Sequence, residues 1–158
     1  MATRLAIVTL AVAAPTTGHS AEYLTKVTSP VYEAQGSPKD LATRARTCIS
    51  QHLAAGTTDS ILITSSDLDG GVIVARSALK YPDGLMNWEI RSTFTFEARE
   101  GRFRIDQTNL ERFNGRAGGW GPIGKWTGSG WKKAEERLVA SAAVVAECVR
   151  SEPRVEDW

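Results

Sequence analysis

Few residues of this chain could do chemistry: Cys48 and Cys148, His19 and His52, the acidic turn Asp67-Leu68-Asp69-Gly70, and a glycine-rich run, GGWGPIGKWTGSGW, at 118–131. From Gly119 that run spells G-W-G-P-I-G-K, the opening letters of a phosphate-binding loop. Such a loop works because glycine amides cradle phosphates, a lysine neutralises them, and a Ser or Thr hydroxyl holds magnesium. Gly119, Gly124 and Lys125 match, but Trp126 stands where the hydroxyl belongs. The motif must also join a buried strand to a helix that begins near the lysine. Here Thr127-Gly128-Ser129-Gly130 intervenes before any helical periodicity starts. Nucleotide binding is not expected.

The same run has a second reading. Seven of the 14 glycines lie between Asn114 and Gly130, with Trp120 and Trp126 among them and Trp131 just beyond. A long loop of this composition can serve as a lid that stacks a sugar or an apolar ligand against its indoles. The plainer expectation is that the indoles fold back and close an open end of the core. The cysteines sit 100 positions apart, one on each predicted helix. An oxidising compartment favours their pairing, and a bridge closing so long a loop stabilises by up to about 4–5 kcal/mol in the chain-entropy model. A metal site on Cys48, His52 and Cys148 lacks a fourth ligand at any diagnostic spacing, so no metal and no cofactor are expected. Asp67 and Asp69 begin a calcium loop, but the later ligand positions and the bidentate Glu are missing. They read as a hairpin turn.

The elements that position these residues follow from periodicity. TKVTSPVYEAQ is an extended segment interrupted by Pro30, which belongs at a strand start or edge. Ser37, Pro38 and Asp40 spell a helix start with N-cap, N1 proline and an approximate capping box. Leu41, Ala45, Cys48 and His52 then recur at helical spacing, and Gly56 ends the run. Four strands follow. LDGG turns SILITSSD into GVIVARSALKY, and Pro82-Asp83-Gly84 turns the chain again.

In the next strand Trp88, Ile90, Ser92, Phe94, Phe96 and Ala98 share one face. A two-residue loop, Glu100-Gly101, leads into RFRIDQTNLERF. Pairing Arg99 with Arg102 sets Phe96 opposite Ile105, Ala98 opposite Phe103, Glu97 opposite Arg104 and Thr93 opposite Thr108, so that like meets like on both faces. A last helix, WKKAEERLVASAAVVAECVR, carries Leu138, Ala142, Val145 and Val149 on one stripe, and Pro153 stops it. The order predicts an α+β two-layer sandwich: strand, helix, four strands, helix, in a mainly antiparallel sheet with both helices on one face.

The N-terminus reads as a secretory signal peptide over residues 1–21: Arg4, an apolar run from Leu5 to Ala14, then small residues before a cleavage site. The apolar run is half the roughly 20 residues of a membrane span. Residues 22–158 then form a single domain. Cleavage removes Arg4 from 19 basic residues and leaves 18 against 18 acidic ones, which gives no electrostatic footprint for nucleic acid or an anionic membrane. It also leaves His52 as the sole imidazole.

Taken in order, G-S-x-x-x-L-x-x-R-A at 36–45, ILITSSDLDGGVIVA after the helix, and FTFEAREGRFR at 94–104 resemble a bacterial family of unknown function described as having a TATA-box-binding-protein-like fold. The resemblance covers roughly residues 25–113, and Cys48 replaces the aromatic expected on the first helix. It implies the same sandwich in exported proteins and brings no catalytic residues. Fold analogy to a DNA-binding protein does not carry function. The outer sheet face mixes Arg91, Arg102 and Arg104 with Glu89, Glu97 and Asp106, unlike the basic, wedge-bearing face of a minor-groove binder.

With one histidine and no convergent carboxylates, the expected function is a non-catalytic periplasmic or secreted domain, structural or protein-binding, whose partner is an unidentified envelope protein. The alternative is a small-ligand or sugar-binding module with a pocket between the sheet and the C-terminal helix, closed by the Trp120–Trp126 segment.

Overall fold

The computed structural model describes residues 22–54 and 62–151. The expected signal peptide and the stops at Gly56 and Pro153 lie outside the described residues.

The first helix forms as its sequence dictates. In α1 (Pro38–His52) the Asp40 N–H donates to Ser37 Oγ at 3.2 Å and the Ser37 N–H donates to Asp40 Oδ2 at 3.1 Å, a reciprocal capping box. The Ser37 hydroxyl, donating to Asp40 Oδ2 at 2.7 Å, and then the Ser37 N–H hold the Asp40 carboxyl below its ordinary pKa. Leu41, Ala42, Ala45, Cys48 and Ile49 form its buried stripe. The last helix, α2 (Trp131–Arg150), buries Ala134, Leu138, Ser141, Ala142, Val145, Ala146 and Val149. Arg44 Nη1 donates to the Val149 carbonyl at 3.1 Å and ties the two helices.

Ahead of α1, the extended segment divides into β1 (Tyr23–Leu24), β2 (Lys26–Thr28) and β3 (Tyr32–Glu33), with Pro30 in the gap between β2 and β3. After it come β4 (Ile63–Asp67), β5 (Val72–Asp83), β6 (Met86–Arg99), β7 (Arg102–Asn114) and β8 (Gly119–Gly124). All pairs are antiparallel, in one eight-stranded sheet ordered β1-β8-β7-β6-β5-β4, with β2 and β3 also on β7. The β6–β7 hairpin has the expected register: Phe96 faces Ile105, Ala98 faces Phe103, Glu97 faces Arg104, Thr93 faces Thr108 and Arg99 faces Arg102.

Two features depart from expectation. Five strands, not four, follow α1, because Gly119–Gly124 pairs with β7 as β8 instead of looping out. Glycine and proline depress strand propensity, but β7 offers that segment a complete ladder. The second departure is a bulge. Between the pairs Arg91–Glu111 and Thr93–Thr108, β7 advances one residue more than β6. Asn109, at φ 50°, is the only non-glycine with positive φ among the described residues. Its Nδ2 donates to Thr93 Oγ1 at 3.1 Å. At this bulge β7 changes partner, from β2 on one side to β8 on the other.

The bulge inverts the pattern of β7. Phe103, Ile105 and Gln107 point inward before it, and Leu110 points inward after it. The inner face therefore carries two apolar clusters. One joins α1 and the C-terminal half of α2 to Ile73, Phe94, Phe96, Phe103 and Ile105; the other joins Leu138 and Ala134 to Leu24, Tyr81, Ile90, Leu110 and Ile123. Burial of Phe94, Phe96 and Phe103 alone contributes about 1.5–3 kcal/mol each. Between the clusters runs a buried polar belt of Ser77, Ser92, Gln107 and Ser141. Gln107 accepts from Ser92 Oγ at 3.1 Å and donates to the Leu138 carbonyl at 2.7 Å.

Candidate functional site

Both helices lie on the inner face, and among the described residues no helix covers the other side of the sheet. Outward-pointing side chains there are set by the β7 bulge. Phe113 and Trp120 are cross-strand partners on β7 and β8, with ring centroids 5.5 Å apart in an edge-to-face arrangement. The Arg91 guanidinium stacks 4.4 Å over the Trp120 ring while its Nε donates to Glu111 Oε2 at 2.6 Å. Phe113 is 37% exposed. The result is an aromatic cluster in water with a fixed cation on it, an arrangement enriched at protein interfaces.

Trp120 would fold back on an open end of the core in the plainer expectation, and close a pocket between sheet and last helix in the alternative. It lies on the opposite side of the sheet, because residue parity along β8 turns Trp120 outward and Ile123 inward. The space beneath α2 is filled by Leu138, Ile90, Leu110 and Ile123.

The other two tryptophans line one groove. Between β8 and α2 the chain forms an open groove of about 640 Å³, lined by Trp126, Trp131, Lys125, Lys132, Lys133 and Asp83 among others. Trp126 is 54% exposed, and its ring lies where a Cβ on Gly124 would have to be. Lys125 Nζ sits 5.1 Å from the Trp131 ring centroid and also binds Glu22 Oε1 at 2.7 Å. Gly130, at φ 71°, caps α2 without a side chain. The carboxylate of Asp83, from the β5–β6 hairpin, sits beside this helix end and binds Lys133 Nζ at 2.6 Å. That bond, and the charge behind it, raise the Lys133 pKa. The inner side of β6 supports the groove: Arg112 stacks 4.4 Å over Trp88 and donates to the Ser129 carbonyl.

The remaining chemical residues are accounted for by structure. Cys48 and Cys148 form a disulfide between α1 and α2, so neither is available as a thiolate ligand. Gly119–Gly124 is strand, not a phosphate cradle. Asp67 Oδ1 accepts the Gly70 N–H at 2.9 Å and shapes the β4–β5 turn.

At the hairpin end of the outer face, Arg99, Arg102 and Arg104 gather around Glu97. Arg99 Nη2 lies 3.4 Å from Glu97 Oε1 and Arg104 Nη2 lies 3.1 Å from Oε2. Asp106 Oδ2 is shared by Lys26 at 3.1 Å and Arg104 at 3.4 Å. Burial pushes the Asp106 pKa up, but hydrogen bonds from Thr28 and Lys26 and the charges of Arg104 and Lys26 outweigh it and hold the carboxyl below its ordinary value.

Periodicity named the arginines of this face but missed Phe113 and Glu111 as their outward neighbours. The one available signal was an Asn inside an otherwise alternating strand.

No protein-family model and no curated protein matches the chain. Among solved structures it is similar to a DUF4468 family protein from Bacteroides ovatus, with TM-score 0.57 and 14% identity over 81% of this chain and 89% of that one. It is likewise similar to a TBP-like protein from Parabacteroides distasonis, with TM-score 0.55 and 10% identity over 81% of this chain and 94% of that one. At such identities the likeness is one of fold, and that fold is the TBP-like α+β sandwich that the sequence resemblance implies.

Proposed function

We propose that this chain is a non-catalytic, exported domain that works as a protein-interaction module of the bacterial envelope, with the outer sheet face as its binding surface. The observation that carries the reading is the Phe113–Trp120–Arg91 cluster. Aromatic and arginine side chains held rigid in solvent are the residues on which binding energy concentrates. The disulfide supports export, since such bridges persist in oxidising compartments. A sheet face whose arginines are interleaved with Glu97, Asp106 and Glu111 favours a protein over a nucleic acid.

The test is a photo-crosslinking residue at Thr95, on the outer side of β6, in the protein expressed in its native envelope. Discrete adducts are expected, and W120A with R91A should abolish them. A crosslinker at Val144 on α2 serves as control. No adducts from Thr95, or equal ones from Val144, refute the reading.

A second reading rests on the groove beside α2. Its volume of about 640 Å³ falls in the range of small-molecule sites, and Trp126 offers an open stacking face. Saturable quenching of tryptophan fluorescence by a panel of sugars, lost in W126A, is its expected signature. Unchanged quenching in W126A removes it.

A further inference from the structure

The outer face has a second feature at its other end, eight residues along β6 from Arg91 and therefore about 26 Å away. Val31, Glu97, Arg99, Arg102 and Arg104 line a pocket of about 140 Å³. The pocket opens to solvent and has room for a carboxylate on a short stem.

Its charges do not balance. Its lining carries three guanidinium groups, Arg99, Arg102 and Arg104, against one carboxylate, Glu97, which pairs with Arg99 and Arg104. Arg102 makes no ion pair among the described residues, and Glu33, its partner across the β3–β7 pair, makes none either. Arg99 and Arg102 stand directly opposite each other, an arrangement that works against folding. Beneath the rim, Arg104 Nε is buried without an acceptor and Asp106 Oδ1 without a donor, so the cluster is not fully paired within itself. Val31, 59% exposed, forms an apolar wall beside these donors. Surplus guanidinium beside an apolar wall is complementary to a carboxylate with its methylene stem.

We propose that this pocket receives the side-chain carboxylate of a glutamate or aspartate from the partner protein, Arg102 and Arg104 donating to its oxygens and Val31 packing on its stem. The inference rests on the interaction-module reading and names the chemistry of that partner. The aromatic cluster would supply contact area and the arginine pocket would fix register, since charge complementarity acts mainly on specificity and encounter rate.

Side-chain NMR of the arginine Nε–Hε groups tests it in the oxidised protein. The probe is the blocked peptide acetyl-Gly-Glu-Gly-amide, with the Gln peptide and a Gly-Gly-Leu peptide with free C-terminus as comparisons. The Glu peptide should shift the Arg102 and Arg104 resonances saturably in the millimolar range, and R102Q should weaken it about tenfold, or about 1.4 kcal/mol. Equal shifts with the Gln peptide, no shifts, or preference for the free C-terminus overturn the proposal. Crosslinking from Thr95 in an R102Q background separates the two levels. Adducts at undiminished yield would refute the acidic anchor and leave the module reading intact, whereas absence of adducts from the unsubstituted protein refutes the module itself.

Discussion

Removal of the Cys48–Cys148 bridge should cost this domain a large part of its stability. The bond closes a sequence separation of 100 residues, for which the chain-entropy model gives about 4.7 kcal/mol. Measured bridges deliver less, because unfolded chains retain structure, so about 2–4 kcal/mol is expected for C48A/C148A. Cys48 is nearly fully buried, and losing its sulfur adds about 1 kcal/mol of packing. The assay is urea unfolding of the oxidised protein, the two single Cys→Ala variants and the double. Because either substitution breaks the same bond, each single variant should lose nearly as much as the double, a strongly non-additive cycle. At about 3–4 °C per kcal/mol for a domain of this size, the corresponding loss in Tm is about 10–20 °C. Additive single effects of under about 1 kcal/mol each would refute the reasoning. They would show two thiols packing independently, with no bridge constraining the unfolded chain.

Four further outcomes are expected. Q107L removes both bonds of the polar belt, to Ser92 and to Leu138, and should cost about 1–3 kcal/mol in urea unfolding; adding S92A should return part of the loss, because the orphaned hydroxyl is then gone. At the bulge, N109A places a Cβ at φ 50° without the Asn bond to Thr93 and should cost about 1–2 kcal/mol, while N109G should fall within a few tenths by the same measurement. The Asp106 carboxyl titrates below its ordinary value in the folded protein, so its contribution is present above the unfolded pKa and is lost as pH falls through the lower folded one. D106N should therefore flatten the acid limb of a stability–pH curve and leave its neutral-to-alkaline part parallel to that of the unsubstituted protein. R102T removes the like-charge pair across the β6–β7 hairpin and should raise stability by about 0.2–1 kcal/mol, read from the urea midpoint. A loss instead would mean that Arg102 holds the fold together and is not reserved for a partner.

What could be read from the sequence was whatever local chemistry decides. Ser37, Pro38 and Asp40 specify the start of α1 because their groups satisfy each other. The hairpin register was legible because a one-residue slip would have set Phe96 and Phe103 against charges. The bridge was legible from two cysteines on apolar stripes. Strand β8 was not, since Gly119, Gly121, Pro122 and Gly124 carry the signature of a loop. Only the open edge of the last third of β7 makes them a strand. Nor was the groove legible. It depends on the Trp126 ring settling onto the bare backbone of Gly124, a tertiary choice that leaves no periodic trace.

The bulge at Asn109 links these omissions to function. Strict alternation from Phe103 through Ile105 and Gln107 would carry Asn109, Glu111 and Phe113 to the inner face. There Glu111 would be a buried charge facing Ile90 and Leu138, at a cost of several kcal/mol. One inserted residue at positive φ reverses the parity, burying Leu110 and sending Glu111 and Phe113 to the outer side. Glu111 then meets Arg91, and Phe113 meets Trp120. A strand that stayed regular would give a better ladder and no aromatic cluster, so the bulge is where this fold departs from local regularity in favour of a surface. Such departures concentrate at sites of use. The bulge is thus what gives the outer face its aromatic cluster.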